Sequence, residues 1–392
     1  MNIDTKIFLR KKFKEYYSEN KIPAPLEIEQ REFGTGTLDT KIKVRHKSFR
    51  TERDLWNYLR REAPFYISYS AAYYEFPENQ PMLTKGWLGA DLIFDLDIGM
   101  DFFDSEKLER IKDETLNLLD FLLSDFGFSK SDFEVNFSGS KGYHVHVFNE
   151  AVKCLGNEER REIVDYVAGN INFRDYLRVE GDKIFGPKKS DSGWPGRVYR
   201  GLYDLIRNSD KERLEGIKGI GDKKAELIYR DRERILGEIE LGRYNYIPDI
   251  VTVDISYIKT PDPNVKVPVI KKVSSPIVQK IIDEKAVKTM AASDTDKMVT
   301  IDTSRLIRLP DSLHGGSGLI AKRVKIKDVE KFDPLTNAVA FGNEKIKINM
   351  GEKTPDFDLN GKRFRNLKGV VEVPEYVGVY LLLKDKAEIV NN

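Results

Sequence analysis

The clearest pattern of hydrophobic and polar positions lies at residues 91–98, which read Asp-Leu-Ile-Phe-Asp-Leu-Asp-Ile. A period of two predicts a β-strand with one apolar face and one face that carries Asp91, Asp95 and Asp97. Carboxylates two residues apart on one face repel each other unless a cation lies between them. The acidic face is therefore a candidate metal site, although an exposed edge strand with solubilising acids accounts for the same pattern.

A helix and a β-hairpin are predicted downstream of this strand. Asp104 or Ser105 is expected to cap a helix with apolar residues at helical spacing, which ends at Gly127. Residues 133–138 and 143–148 then alternate as two strands that a glycine-bounded turn connects.

The tip of this hairpin carries Ser138, Lys141 and His144, around the turn Gly139-Ser140-Lys141-Gly142. Glycine allows a ligand close to the backbone, lysine supplies a positive charge, and serine and histidine supply hydrogen-bond donors. The group suits a triphosphate, and a plain hairpin with a polar tip is the alternative.

Basic residues form two further segments with a suggestive pattern. Residues 41–46 alternate like a strand with Arg45 on its basic face, which fits a solvated edge strand or a phosphate contact. Residues 200–246 are rich in Arg, Lys and Glu and are predicted to form an inserted helical subdomain. Residues 1–199 and 247–392 are then the discontinuous core.

The insertion contains a glycine turn that resembles a helix-hairpin-helix, in which backbone N–H groups point at a nucleic-acid phosphate. A helical insertion that merely turns at its glycines is the alternative. The candidate DNA-binding residues are Gly219, Gly221, Lys223 and Lys224.

A third acid occurs at Asp302, where residues 299–302 alternate as a strand. A basic segment with Arg308 follows and is predicted to be a helical turn that Pro310 ends, before His314 in a glycine-rich loop. The tail beyond residue 328 is predicted to mix strands and turns, with no chemistry.

Composition narrows the class of protein. The chain has 392 residues, 40% hydrophobic and 33% charged, and a net charge of +1, so a nucleic-acid surface must be a local patch. No apolar run approaches the ~20 residues of a membrane span or resembles a secretory leader, and we expect a cytoplasmic protein. Cys154 is the only cysteine, which excludes an intramolecular disulfide and any zinc site with two Cys ligands.

The three acids have a common use. Asp95, Asp97 and Asp302 are suited to hold two Mg²⁺ or Mn²⁺ ions, which promote in-line displacement at phosphorus. The cations and donors of the hairpin and the glycine-rich loop are suited to neutralise the phosphates of a nucleoside triphosphate.

In these segments the sequence resembles the catalytic (small) subunit of the archaeal and eukaryotic type of DNA primase. The resemblance rests on residues 94–97, 138–144, Asp302 and 308–315, with N-terminal motifs at 31–33 and 44–49, in the family's order. It implies an α/β fold with a mixed-sheet primase core and template-directed synthesis of short primers from nucleoside triphosphates on a single-stranded DNA template.

The resemblance also implies roles for single residues and a partner. The implied metal-binding catalytic acids are Asp95, Asp97 and Asp302, and the implied nucleotide-binding residues are Arg45, Ser138, Lys141, His144, Arg308 and His314. Asp254, in a similar acidic strand, is rejected because no matching basic segment follows it. A heterodimer with a large regulatory subunit is implied as well.

Two positions depart from the family pattern. Many members carry two basic residues in the hairpin where this chain has Ser140 and Lys141. Members also commonly hold zinc in a Cys/His knuckle, whereas residues 98–137 contain neither Cys nor His, so no structural zinc is expected.

Alternative functions follow from the same residues. A repair or gap-filling polymerase uses the same kind of core but does not start chains on an unprimed template. A helix-hairpin-helix DNA-binding protein with structural acids lacks metal-dependent triphosphate binding. A two-metal nuclease fits the basic residues less well, because they suit a triphosphate better than a diester.

Overall fold

The computed structural model describes residues 1–247, 250–261, 266–292 and 294–390. The helices are α1 Ile3–Glu19, α2 Glu52–Glu62, α3 Ser105–Ser124, α4 Glu150–Lys153, α5 Asn157–Val167, α6 Gly193–Asn208, α7 Lys211–Glu215, α8 Asp222–Arg230, α9 Arg232–Glu240, α10 Pro276–Lys285, α11 Lys288–Ala292, α12 Asp294–Ile301, α13 Pro334–Asn337 and α14 Glu375–Leu383.

The described residues combine these helices with strands, so the α/β class is confirmed. They are β1 Phe33–Gly36, β2 Val44–Lys47, β3 Tyr66–Ser70, β4 Ala72–Tyr74, β5 Trp87–Ala90, β6 Leu92–Asp97, β7 Phe133–Phe137, β8 Gly142–Val147, β9 Arg178–Glu180, β10 Lys183–Phe185, β11 Thr252–Lys259, β12 Lys266–Ser274, β13 Leu306–Arg308, β14 Arg323–Val324, β15 Lys345–Met350, β16 Phe357–Leu359, β17 Lys362–Phe364, β18 Gly369–Pro374 and β19 Ala387–Ile389.

Contacts divide the chain into two compact units. The first comprises residues 1–116, 129–164 and 292–392, and the second comprises 117–128 and 165–291. The predicted insertion at 200–246 is helical, as expected, and lies wholly inside the second unit. The units divide at other positions than the predicted boundaries, and a separate subdomain at 200–246 stays a prediction.

Two four-stranded sheets carry the candidate site in the first unit. Their strand orders are β13-β3-β1-β2 and β14-β7-β8-β6. Every strand pair among the described residues is antiparallel, so the predicted mixed sheet is wrong. A tight turn connects β7 directly to β8, and such a turn permits only antiparallel pairing.

Strand β6 has the predicted two-sided pattern. Leu92, Phe94 and Leu96 are fully buried on one face, while Asp95 and Asp97 are partly exposed on the other. Burial of the three apolar side chains contributes roughly 2 kcal/mol each, which fixes the register because a slip of one residue would bury the acids instead. Helix α12 packs along the same strand.

Two local predictions near Asp302 are wrong. Residues 299–301 belong to helix α12 and not to a strand, and Asp302 follows the last helical residue. The predicted helical turn at Arg308 is strand β13, which pairs with β3. An alternation of only four residues does not distinguish strand from helix, and packing decides between them.

The tail is more helical than predicted, because α14 is a helix whose residues 376–382 are all buried. Helix α1 contacts both α14 and β19, and the backbone N–H of Ile389 donates to Oγ1 of Thr5 at 3.0 Å. Residues near the two ends of the sequence therefore pack together. Among the described helices, none combines the length and the apolar character that crossing a bilayer requires.

Candidate active site

Strands β6 and β8 bring two acids and a histidine together. Asp95 lies opposite His144 in the ladder and Asp97 lies opposite Gly142. Nε2 of His144 is 3.4 Å from Oδ1 of Asp95. Burial lowers the pKa of His144 to about 4, so the ring is neutral at pH 7 and acts as a hydrogen-bond donor and not as a cation.

Gly142 is required where β8 approaches β6. A Cβ at this position would lie 1.7 Å from the carbonyl oxygen of Leu96 and 2.6 Å from Oδ1 of Asp97. Any side chain there would push the strands apart and displace the carboxylate. The glycine at the end of the hairpin turn thus sets how closely the acids approach the tip.

The environment of the Asp97 carboxylate favours the binding of a cation. Its Oδ1 is buried and has no hydrogen-bond partner among the described residues. Burial and the neighbouring charge of Asp95 raise the pKa of Asp97 to about 6, while Lys141 and Lys41 oppose that rise. A buried oxygen without a partner costs about 1–3 kcal/mol, a cost that a bound cation would remove.

The turn of the hairpin is organised by Ser138. Its Oγ accepts from the backbone N–H groups of Ser140, Lys141 and Gly142 at 3.4, 3.3 and 3.2 Å. The carbonyl oxygen of Lys141 accepts from the N–H of Ile98 at 3.2 Å, which joins the tip to the end of β6. In this conformation the Ser138 hydroxyl shapes the turn, and a direct phosphate contact by Ser138 stays a prediction.

The His314 loop packs directly on the hairpin tip. Oγ of Ser317 donates to the carbonyl oxygen of Gly139 at 2.5 Å, and a Cβ on Gly139, whose φ is +81°, would lie 2.8 Å from Cβ of His314. The N–H of Gly316 donates to Nδ1 of His314 at 3.1 Å. The neutral ring therefore carries its proton on Nε2, the atom that can donate to an anion.

Arg308 is a partly buried cation of the same site. It lies on β13 opposite Ser68, with its guanidinium carbon 5.2 Å from the centroid of the Tyr66 ring. Its Nη1 is buried without a hydrogen-bond partner in the described chain. Burial lowers the pKa of Arg308, and the charges of Asp97 and Asp95 are among those that oppose this shift. An anion would satisfy the orphaned donor.

Asp302 lies in a turn between α12 and β13. Its Oδ1 accepts from the N–H and Oγ of Ser304 at 3.0 and 2.7 Å, and Nε of Arg305 is 3.7 Å from Oδ2. In the part of the chain that the structure describes, no group of three or more His, Cys, Asp or Glu side chains could hold a metal ion. The structure thus brings Asp95 and Asp97 together, and a three-acid set with Asp302 stays a prediction.

Arg45 contacts the turn that holds Asp302. Its Nη2 donates to the carbonyl oxygen of Ser304 at 2.6 Å, and its Nε is 2.5 Å from Oε1 of Glu32. Glu32 is fully buried and also lies 3.4 Å from Nζ of the buried Lys85. The guanidinium is held by protein groups at two of its edges, so a phosphate contact by Arg45 stays a prediction.

Asp91 has a structural role, although it shares the acidic face of the sequence pattern. Nη2 of Arg31 is 2.6 Å from its Oδ2, and the Tyr73 hydroxyl donates to its Oδ1 at 2.6 Å. Both oxygens therefore have partners in the fold. Asp91 is therefore not needed as a metal ligand, and the role of Asp95 and Asp97 as ligands stays a prediction.

The residues present fit a divalent cation. Hard oxygen donors are the ligands that Mg²⁺ and Mn²⁺ prefer, and Asp97 offers a buried oxygen without a partner beside a second carboxylate. Asp95 and Asp97 are the residues that would hold it. The helix α3 fills residues 105–124, where the sequence lacks the Cys and His of a zinc knuckle.

The candidate DNA-binding turn lies in the second unit, between α7 and α8. Gly219 has a φ of +93°, and a Cβ there would lie 3.0 Å from Cγ of Pro276, so packing alone accounts for this glycine. Nζ of Lys211 is 2.7 Å from Asp222 at the start of α8. Gly221, Lys223 and Lys224 flank the same helix start, and their contact with DNA stays a prediction.

Two lysines that the sequence reasoning did not select act on the pKa of predicted site residues. Lys41, in the loop before β2, acts on the pKa of Asp97 and of His314, and it was visible only as part of a basic segment. Lys384, just after α14, acts on the pKa of His314. No sequence signal distinguished Lys384, because it is 287 positions from Asp97 along the chain.

Comparisons with known proteins agree on one family. A family model described as DNA primase small subunit matches residues 94–326. Proteins named DNA primase small subunit PriS are similar over nearly the whole chain. The one from Methanothrix thermoacetophila is 37% identical over 99% of this chain and 100% of its own, and the one from Methanococcoides burtonii is 36% identical over 99% of each. The protein of that name from Halobacterium salinarum is 35% identical over 98% of each.

Proposed function

Because the chain belongs to the DNA primase small-subunit family, we propose that it is a nucleotidyltransferase that synthesises short primers from nucleoside triphosphates on a DNA template. The proposal is supported by the buried Oδ1 of Asp97, which has no hydrogen-bond partner among the described residues and lies beside Asp95. The charges of Lys141 in the hairpin and Arg308 on β13 interact with this carboxylate. Such a juxtaposition of acids and cations suits a metal-bound polyphosphate.

The proposed roles follow from where each side chain lies. Asp95 and Asp97 would hold Mg²⁺ or Mn²⁺, with Asp302 as the proposed third ligand, and the two bound ions would activate the attacking 3′-hydroxyl and stabilise the leaving oxygen. Lys141 and Arg308 supply positive charge to the phosphates. Neutral His144 and His314 supply N–H donors, and the burial of His144 keeps its donor away from bulk water.

The proposed partners are a DNA template, nucleoside triphosphates and a large regulatory subunit with which the chain would form a heterodimer. Template contact at Gly219, Gly221, Lys223 and Lys224 remains part of the proposal. A net charge of +1 supports a local contact and not a generally basic surface.

The test is primer synthesis on an unprimed single-stranded template by purified variants. Asp95→Asn and Asp97→Asn are each expected to lower the rate by a factor of 10³ or more, because each removes a metal ligand. Asp302→Asn is expected to do the same if it is the third ligand. Asp254→Asn is the matched control, since that acid lies on the exposed β11 in the second unit and should leave the rate within about twofold.

Two results would overturn the proposal. Undiminished synthesis by folded Asp97→Asn would show that the acids are structural. Extension of a primed template without any synthesis on an unprimed one would identify a gap-filling polymerase.

A further inference from the structure

Lys384 is a partly buried cation without a bonded partner. It follows the last residue of α14, and among the described residues its Nζ forms no hydrogen bond and no ion pair within 4 Å. Its ammonium lies 5.7 Å from the centroid of the Tyr380 ring. Burial of an unpaired charge is unfavourable, and an external anion that pairs with this ammonium would offset the cost.

Two anchors hold the end of α14 beside the candidate active site. The Tyr380 ring stacks on Phe103 with centroids 4.5 Å apart, and the Tyr380 hydroxyl accepts from the N–H of Phe103 at 3.1 Å. On the other side, a Cβ added to Gly318 would lie 3.0 Å from Val379 and 3.3 Å from Leu383. Phe103 follows β6 by six residues, and Gly318 belongs to the His314 loop. Both contacts of α14 are therefore with segments that also carry residues of the candidate site.

Lys384 and Lys141 approach the site from separate parts of the chain. Lys141 is tied by its carbonyl oxygen to Ile98, on the same segment that leads to Phe103. Burial lowers the pKa of Lys384, and the charge of Lys141 contributes to this, whereas Asp101 opposes it. Two lysines that repel each other gain from an anion that binds both.

A cavity of about 530 Å³ opens beside Lys384. It is lined by Asp101 and Phe102 from the segment after β6, and by Glu352, Lys353, Lys384 and Lys386 from the tail. Three lysines against two acids give the cavity a positive balance. Its volume suits a phosphate group with its water shell.

We propose that Lys384 binds the terminal phosphates of the incoming nucleoside triphosphate, together with Lys141, from the side of this cavity. The inference rests on the proposed function and adds a cation from the C-terminal helix to it. Ser140 occupies the hairpin position next to Lys141 and offers only a hydroxyl, so Lys384 supplies the second ammonium for the phosphate chain.

The test compares the binding of nucleoside triphosphate and nucleoside monophosphate to the full chain in the presence of Mn²⁺. Lys384→Gln is expected to weaken triphosphate binding about tenfold and to leave monophosphate binding unchanged, since only the longer phosphate chain reaches the lysine. Lys384→Arg should restore most of the affinity. Lys368→Gln removes the same charge from an exposed position of the tail and should change neither affinity.

The outcomes separate this inference from the proposed function. If the unmodified protein binds no triphosphate, the proposed function fails. If it binds triphosphate and folded Lys384→Gln binds it equally well, only the role of Lys384 is overturned. If Lys384→Gln weakens the binding of a single-stranded oligonucleotide and leaves triphosphate binding unchanged, Lys384 contacts nucleic acid and its proposed role in triphosphate binding is overturned. Lys384→Met, which keeps the apolar stem, replaces Lys384→Gln if the latter unfolds.

Discussion

At the scale of single residues, the site is defined by charges that the fold leaves uncompensated. Oδ1 of Asp97 and Nη1 of Arg308 are both buried without hydrogen-bond partners in the described chain. Each such group destabilises the folded protein, and native structures rarely keep them without a functional reason. These two atoms belong to side chains of opposite charge. Such a pair suits a ligand that has a metal ion at one end and phosphates at the other.

Asp97→Asn is expected to stabilise the metal-free protein at neutral pH. Because the pKa of Asp97 is raised from 3.8 to about 6, the folded state binds more protons than the unfolded state between these values. Stability is therefore lost as the pH rises through this window, and a neutral side chain avoids the loss. With allowance for partial exposure, the gain at about pH 7.5 is on the order of 1–2 kcal/mol.

Urea unfolding with a chelator present, at about pH 7.5 and about pH 4, measures this difference. The gain should be much smaller at the lower pH, where Asp97 is protonated in the folded state and partly protonated in the unfolded state. An equal effect of Asp97→Asn at both pH values would contradict the raised pKa.

At the scale of elements, the turn after α12 is held by a strand from the opposite end of the sequence. Arg45 on β2 bridges the buried Glu32 and the carbonyl oxygen of Ser304, and Ser304 in turn donates to Asp302. Through these hydrogen bonds, Arg45 and Ser304 hold the Asp302 carboxylate in position. Asp302 is the proposed third metal ligand, and alteration of a group that orients a metal ligand commonly changes metal affinity or activity 10–100-fold.

Arg45→Lys keeps the positive charge but cannot bridge both partners, since an ammonium lacks the planar fork. We expect kcat to fall about 10–100-fold and the metal concentration for half-maximal activity to rise, while KM for the triphosphate stays within about twofold. Steady-state kinetics with varied Mn²⁺ and varied triphosphate measure both. A selective rise in the triphosphate KM would instead show that Arg45 contacts phosphate.

Sequence reasoning succeeded where an element is defined by its own residues. The six-residue alternation of β6 and the glycine turn between β7 and β8 are local signals, and both were predicted correctly. It failed at α12 and β13, where packing against β6 and pairing with β3 decide the conformation. The contact between Arg45 and the Ser304 carbonyl was not predicted, because the two residues are 259 positions apart in the sequence.

At the scale of the whole molecule, the candidate site draws on all three segments of the first unit. Asp95 and Asp97 lie on the first segment, the hairpin on the second, and Asp302, Arg308 and His314 on the third. A ligand that contacts all of them can bind only to the folded unit. It must therefore shift the unfolding equilibrium by mass action.

Mn²⁺ and nucleoside triphosphate together are expected to raise the Tm of the protein by several degrees. At a ligand concentration of about 100 Kd the stabilisation is about 2.7 kcal/mol. Either component alone should have a smaller effect, and a chelator should reverse it. Differential scanning fluorimetry measures the shift, and Asp95→Asn should abolish it. A full shift with triphosphate in the absence of metal would contradict the predicted role of the acids.

The packing of α14 and β19 against α1 bears on how the chain folds during synthesis. Thr5 and Ile389 are joined by a hydrogen bond although 384 residues separate them. Residues 375–390 leave the ribosome long after α1. Helix α1 therefore emerges before α14 and β19, which pack against it in the folded protein, have been synthesised. Until then the part of its surface that α14 and β19 cover is exposed to chaperones. The first unit is therefore completed late, when the segment that carries Lys384 has been synthesised.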